Sequence, residues 1–306
     1  MTRPSPSHPS PAFGTWVAIA AYGIWGLFPI YWKWLESIPA LQLVSHRAVW
    51  TCVTLGLVIL FTRQWQAFTV SIRSSRVLRI YLIAALLMGS NWLVFTIAVN
   101  SGHVTQTGLG YYISPLINVL LGVLLLGERL RPWQWTSVAL ASAGVAYLAF
   151  MQGALPWMAL ALAFSFGCYG LVKKMAPLDA VNGLMLETSL LLPAALAYLA
   201  FCEFTGQGAF VHAGTGATLL MAVSGVVSMS PLLLFALAAQ QIPLSRLGFL
   251  QYLTPTLQLL LGVAVYHEPF NQHSLLGFGL VWTSLLVFSL DGWRASRGNV
   301  QGLTQR

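Results

Sequence analysis

Ten long apolar runs, separated by short polar breaks, fill the chain at about residues 15–33, 41–62, 77–100, 104–126, 133–150, 155–173, 181–202, 217–240, 243–266 and 273–291. At roughly 20 residues each, such runs match an α-helix crossing a hydrocarbon core of about 30 Å. The breaks are turn signals: Pro39, Gly102, Arg131-Pro132, Gln152-Gly153 and Ile242-Pro243, with longer connections only around 63–76 and 203–216. Pro29, Pro115, Pro193, Pro231 and Pro255 fall inside runs. In water they would break a helix. In a membrane they act as kinks where neighbours satisfy the freed carbonyls.

The runs repeat. Leu109–Glu128, LGYYISPLINVLLGVLLLGE, has a second copy at Phe249–Glu268, FLQYLTPTLQLLLGVAVYHE. Pro115 pairs with Pro255, Gly122 with Gly262 and Glu128 with Glu268, each 140 residues on. Trp25-Gly26…Lys33 matches Phe166-Gly167…Lys174 at an offset of 141, and Phe95, Asn100 and Gly108 match Phe235, Gln240 and Gly248 at 140. Two halves, 14–150 and 153–291, therefore carry five helices each. Five is odd, so the second half enters the membrane from the opposite side. The expected fold is an all-α membrane protein of ten transmembrane helices arranged as two inverted five-helix repeats. In such folds a site near the midplane lies between the repeats, and access alternates as they exchange poses.

Charge sets the orientation. With the N-terminus cytoplasmic, the inside segments hold Arg3, Arg63, Arg73, Arg76, Arg79, Arg129, Arg131, Lys173, Lys174, Arg246, Arg294, Arg297 and Arg306, which is 13 of the 15 Lys and Arg. Only Lys33 and Arg47 fall elsewhere. The positive-inside bias then predicts both termini in the cytoplasm. Composition agrees: 57% hydrophobic and 7% charged, against about 25% charged in soluble domains. The net charge of +8 does not point to nucleic acid, because no basic helix or aromatic-interleaved basic patch is present. Residues 1–13, MTRPSPSHPSPAF, read as a disordered cytoplasmic tail, and 292–306 as a basic cytoplasmic tail. The first apolar run reads as a retained helix rather than a cleaved leader. Cys52, Cys168 and Cys202 lie in apolar runs without metal-site or disulfide spacing and read as packing residues.

Ionisable residues at membrane depth are functional candidates by default. His46 and Arg47 in the second run and Glu187 in the seventh qualify. His46 and Glu187 are repeat partners, each roughly 8–9 Å into its helix at 1.5 Å per residue. Inversion would place them near opposite faces, so a direct ion pair between them is not expected. They line an outer and an inner vestibule, or else Arg47 snorkels to the interface and His46 bonds locally. The repeated helix carries a second set. Tyr112, Pro115 and Asn118 recur three apart, as do Tyr252, Pro255 and Gln258, giving each helix one stripe of aromatic, kink and amide. Tyr111 and Gln251 lie beside it. These stripes face a cavity or form interhelical hydrogen bonds. Asn91 and Trp92, with Asn100 and Gln240, are weaker candidates. Glu128 and Glu268 sit where the helix dipole disfavours a negative charge, so they are expected to bond nearby backbone donors or basic groups. Trp16, Trp32, Trp34, Trp65, Trp133, Trp135, Trp157 and Trp293 fall near run ends and read as an interfacial belt.

No GxxxxGK[ST] loop, HExxH pair or GxSxG nucleophile elbow occurs. No catalytic site, metal or cofactor is expected. The stretches AAYGIWGLFPIYWK, SHRAVW, NWLVFTIAVN, LGYYISPLINVLLG, ALAFSFGCYGLVKK, LMLETSLLLP and LGFLQYLTPTLQLLL resemble the RarD group of the EamA-type drug/metabolite transporter (DMT) superfamily over about residues 14–291. The second copy departs from the pattern in ending His267-Glu268-Pro269 where the first ends Gly127-Glu128. The resemblance implies a ten-helix transporter of the bacterial inner membrane with a central cavity between the halves. It also links the group by name to chloramphenicol sensitivity.

The expected function is secondary transport or facilitation of a small amphipathic metabolite or drug. His46, Arg47, Asn91, Trp92, Tyr111, Tyr112, Asn118, Glu187, Gln251, Tyr252 and Gln258 are the substrate-binding candidates. Expected partners are the substrate and the lipid bilayer, with a homodimer left open. The rival readings are a non-transporting membrane scaffold and an intramembrane enzyme using His46 or Glu187 as acid or base.

Overall fold

A computed structural model describes residues 11–100, 104–151, 157–265, 267 and 272–303. The described residues form twelve helices and no strand: α1 (Pro11–Lys33), α2 (Ala40–Phe61), α3 (Trp65–Ser71), α4 (Ser75–Asn100), α5 (Val104–Leu126), α6 (Pro132–Met151), α7 (Trp157–Met175), α8 (Ala180–Phe204), α9 (Thr215–Gln241), α10 (Leu244–Gln251), α11 (Leu253–Ala264) and α12 (Gln272–Leu303). Among the described residues, nine helical segments are long and apolar enough to cross a membrane, α10 and α11 counting together as Leu244–Ala264. The remaining run, the fifth, forms α6, a 20-residue helix whose Thr136 and Ser137 hydroxyls bond back to the Pro132 and Trp133 carbonyls. Outward faces carry Leu60, Leu124, Phe164 and Phe201, all more than half exposed. Such a surface suits lipid, where only helices with internally satisfied backbones are stable.

The helices pack in a regular set of pairs. α1 lies against α9 and α11, α2 against α8 and α9, α4 against α7 and α8, α5 against α7 and α10, and α6 along α12. Exchanging α1, α2, α4, α5 and α6 with α7, α8, α9, α10–α11 and α12 maps these pairings onto one another. The centre is aromatic. Tyr22 and Trp25 of α1, Phe166 and Tyr169 of α7 and Phe235 of α9 interlock, Tyr169 and Phe235 stacking at 5.9 Å. Small residues let backbones close in, as is common between membrane helices. Gly225 of α9 abuts the Trp50 carbonyl of α2, and a Cβ on Gly144 of α6 would stand 2.8 Å from the Gly277 carbonyl of α12.

Some boundaries differ from those read off the sequence. The ninth run is two helices, broken at Tyr252, whose N–H bonds the Phe249 carbonyl at 3.3 Å. Pro255 explains the break: it has no N–H for the Gln251 carbonyl and its ring crowds that group. The first copy carries Pro115 inside an unbroken α5. The 63–76 connection contains the short α3. Residues 11–13 of the expected tail belong to α1, and α12 runs past residue 291 to Leu303. Residues 1–10 of that tail, and Glu268, lie outside the described residues.

Gly225→Ala forces its new methyl into the Trp50 backbone, and overpacking of this kind costs about 1–3 kcal/mol. Gly23→Ala, which meets nothing within 4 Å, serves as its control. The expected result is a lower unfolding midpoint in detergent for Gly225→Ala and an unchanged one for Gly23→Ala, read by intrinsic fluorescence.

Candidate functional site

Arg47 is the eighth residue of α2 and is only partly buried. Its Nε donates to Ser228 Oγ of α9 at 3.0 Å. Its guanidinium carbon lies 5.1 Å from the ring centre of Trp32 of α1 and 4.7 Å from that of Trp92 of α4. The Tyr31 and Tyr111 phenols are close enough to feel its charge. Trp32 therefore does not join the interfacial belt expected for it: it flanks the deepest cation on α2. The other belt tryptophans, Trp16, Trp34, Trp65, Trp133, Trp135, Trp157 and Trp293, are all at least half exposed.

His46 is adjacent in sequence but turns elsewhere, as consecutive helical positions must. It is buried and stacks on Phe210 at 5.0 Å, while its Nε2 has no hydrogen-bond partner among the described residues. Phe210 belongs to the connection before α9. Gln42, one turn earlier, pins that connection: its Nε2 donates to the Gln207 carbonyl at 2.7 Å and its Oε1 accepts the Ala209 N–H at 2.9 Å.

The repeated helices meet at a buried seam between α5 and α10. Asn118 Nδ2 donates to Gln251 Oε1 at 2.8 Å. A Cβ on Gly248 would stand 2.6 Å from the Pro115 carbonyl and 2.9 Å from Asn118 Cβ, so only glycine permits this approach. Tyr112 and Tyr252 face each other at 6.4 Å. Four buried polar atoms here, Tyr112 Oη, Tyr252 Oη, Ser114 Oγ and Asn118 Oδ1, have no partner among the described residues. Tyr111 is 37% exposed, and Gln258 Nε2 donates to the Trp25 carbonyl at 3.3 Å. The stripes thus split: Tyr112, Asn118, Gln251 and Tyr252 are buried at the seam, whereas Tyr111 is partly exposed and Gln258 of α11 turns to α1. Glu128 closes the seam. Its carboxylate accepts the Leu244 N–H at 2.6 Å and the Ser245 N–H at 2.9 Å, the backbone donors that a glutamate at the end of its helix was expected to find.

Glu187 of α8 does not meet His46. Its Oε1 takes Lys173 Nζ at 2.7 Å and its Oε2 accepts the Tyr169 hydroxyl at 3.0 Å. Lys173, Glu187 and Tyr169 are all essentially buried. The Tyr81 ring of α4 lies 5.5 Å from the ammonium, and its hydroxyl accepts the Leu178 N–H at 3.2 Å. This corrects the reading of Lys173 as a loop cation that marks topology. It lies in the last turn of α7 and faces the bundle, so it counts toward internal electrostatics. Lys174 turns the other way, donating to the Ala239 and Ile242 carbonyls at 3.3 and 2.7 Å.

Asn91 Nδ2 donates to the Leu162 carbonyl and Ser165 Oγ of α7, at 3.0 and 2.9 Å. Gln240 Nε2 donates to the Leu178 carbonyl at 3.0 Å. The structure thus gathers Arg47, Trp92 and Tyr111 in one region, holds the α5–α10 group as a second, and sets Glu187 and His46 apart. Sequence reasoning missed Trp32, Ser228, Tyr81, Tyr169 and Lys173. Lys173 had a signal: it lies 14 residues before Glu187, on the preceding run, so a short helical hairpin brings the two together. Among the described residues no group of three or more His, Cys, Asp or Glu could hold a metal ion.

These features define a multi-pass helical membrane protein with polar groups clustered between its helices. The sequence matches the EamA-like transporter family twice, over residues 12–150 and 155–290. It is 44% identical to an uncharacterized transporter of Vibrio cholerae serotype O1, over 92% of this chain and 93% of that protein. It is 40% identical to protein RarD of Streptomyces exfoliatus, over 93% of this chain and 90% of that one. A solved crystal structure of a protein at 19% identity superposes with a TM-score of 0.69 over 92% of this chain and 98% of that one; that likeness concerns the fold alone. The chain belongs to the EamA-like transporter family and falls within its RarD group.

Breaking a buried ion pair leaves an uncompensated charge and costs about 3–5 kcal/mol. Lys173→Met alone and Glu187→Leu alone are expected to lower the unfolding midpoint sharply. The double variant is expected to recover most of the loss, because a well-packed apolar pair is often as stable as the ionic one. A thermal double-mutant cycle in detergent checks this, and additive losses would rule out the coupling.

Proposed function

We propose that this protein is a secondary transporter, an exporter or facilitator, that moves a small amphipathic metabolite or drug across the bacterial inner membrane by alternating access between its two halves. The observation that carries this reading is that polar contacts join residues 14–150 to residues 153–291 in the interior: Arg47 with Ser228, Asn118 with Gln251, and Asn91 with Ser165. A scaffold needs no such lining, and polar groups within a membrane protein line paths or hold helices together. The buried unpartnered atoms of the α5–α10 seam add weight. An unsatisfied buried polar group costs about 1–3 kcal/mol, so the seam is a packing that a second conformation can relieve by admitting water or substrate.

The exchange of helix pairings described above supports two inverted five-helix repeats, with α6 as the fifth crossing and α12 as the tenth. The loop cations support both termini in the cytoplasm. The family and the names of its members point to transport rather than catalysis.

Purified protein in liposomes is expected to give saturable counterflow of at least one member of a panel of amphipathic metabolites and drugs that includes chloramphenicol. Asn118→Leu with Gln251→Leu, which removes both amides together, is expected to cut that flux by at least about tenfold while the protein still folds, as a loss of a buried, specifically paired polar network would. Flux repeated with and without an imposed pH gradient separates proton coupling from facilitation, and no saturable flux for any compound counts against transport. Separately, Ser5→Cys and Val300→Cys in a variant with Cys52, Cys168 and Cys202 replaced are expected to react with an impermeant maleimide only from the cytoplasmic side. Labelling of either position from outside in intact cells overturns the orientation.

A further inference from the structure

The cations that reach between the helices differ in how their charge is met. Lys173 has Glu187, and Lys174 has two carbonyls. Arg47 has no carboxylate. The acids are spent elsewhere: Glu187 on Lys173, Asp291 on Arg131, Glu203 on His212, Glu128 on the start of α10 and Asp179 on the start of α8, while Glu36 is exposed. Glu268 lies outside the described residues. A guanidinium presents five N–H donors in a flat fork. Here Nε is used by Ser228, and the Trp32 and Trp92 rings lie beside the guanidinium carbon, at 5.1 and 4.7 Å to their centres. The four N–H groups on the two terminal nitrogens have no partner among the described residues. The site is thus a cation beside two indoles, about 10 Å into its helix at 1.5 Å per residue.

We infer that Arg47 is an anion-binding element and that the substrate is an aromatic or similarly flat organic carboxylate. This rests on the transport reading given above. Planar carboxylates accept two parallel N–H bonds from guanidinium, and that fork is the free edge of Arg47. A neutral molecule would leave the charge uncompensated at membrane depth, where a lone cation is costly. The flat apolar body follows from the walls: Trp32, Trp92, Tyr31 and Tyr111 offer rings, and no described carboxylate is placed to receive an ammonium group. Ser228 is a positioning residue, since it touches only the Nε side and orients the fork.

The test is equilibrium binding of radiolabelled indole-3-acetate to the full-length protein in detergent, with benzoate, phenylacetate and indole-3-acetamide as competitors. Saturable binding displaced by the two carboxylates and not by the amide is expected. Arg47→Gln is expected to weaken it by at least about tenfold, and Arg47→Lys, which keeps the charge but loses the fork, by less. Arg47→Lys also guards against a Gln variant that fails to fold. No binding of indole-3-acetate, equal displacement by the amide, or wild-type affinity in Arg47→Gln overturns the proposal. Carboxylate binding without liposome flux keeps the anion site and removes transport. Flux that is equal for acid and amide keeps transport and removes the anion site.

Discussion

The contact on which the arrangement turns is the carboxylate of Glu128 on the first two N–H groups of α10. A helix that begins inside a bundle leaves its first N–H groups without intrahelical partners, and in a membrane no water stands ready to take them. Glu128 satisfies two of them. It also places a negative charge at the positive pole of that helix. The same glutamate is unfavourable for the dipole of α5 and favourable for that of α10. Its local cost is offset by a contact 116 residues away. The tie fixes the end of α5 against the start of α10, and the tight crossing at Gly248 and the Asn118–Gln251 bond follow along the same pair of helices.

Low dielectric makes the treatment of charge informative. Glu187 and Lys173 are paired, hydrogen-bonded by Tyr169 and walled by Tyr81. That is the condition under which buried ions are tolerated. Arg47 receives aromatic faces and one hydroxyl instead. Cation–π contacts stabilise a desolvated cation by about 2 kcal/mol or more, enough to hold the guanidinium in place without neutralising it. The first arrangement is finished within the protein. The second is not.

Much of this was legible in the sequence. The membrane-spanning character and the doubling at 140 residues follow from apolar run lengths and matched spacing, and the same spacing singles out Arg47, Trp92, Asn118 and Gln251, which the structure finds between helices. What stayed hidden depends on helix rotation and on partners remote in sequence. Hydrophobic run length cannot tell which of Lys173 and Lys174 turns inward, so Lys173 was read with the loop cations. Trp32 lies near a run end, where the belt pattern is the general rule, and only the position of α2 beside α1 reveals its use. Residues 46 and 47 point to different neighbours because successive helical positions differ by about 100°. The break at Tyr252 comes from Pro255, yet the equivalent Pro115 leaves α5 whole, so tertiary surroundings decide what a proline does.

That last contrast bears on how far two similar halves differ. At matched positions the first half carries His46 and the second Glu187, the one stacked on Phe210 and the other paired with Lys173. The matched partner of Lys173, 141 residues back, is Trp32, which lies over Arg47. The backbone pairings exchange between halves, whereas the charges do not. Under the transport reading proposed above, matched packing would let the two bundles take up equivalent poses at similar energy. Unmatched charge would then make those poses unequal, because the second half holds an internal ion pair at Lys173 and Glu187 where the first presents a guanidinium with no described carboxylate. Since a ligand shifts a conformational equilibrium only by its differential affinity for the two states, the same reading would place that bias at the region whose charge the described residues leave unmet.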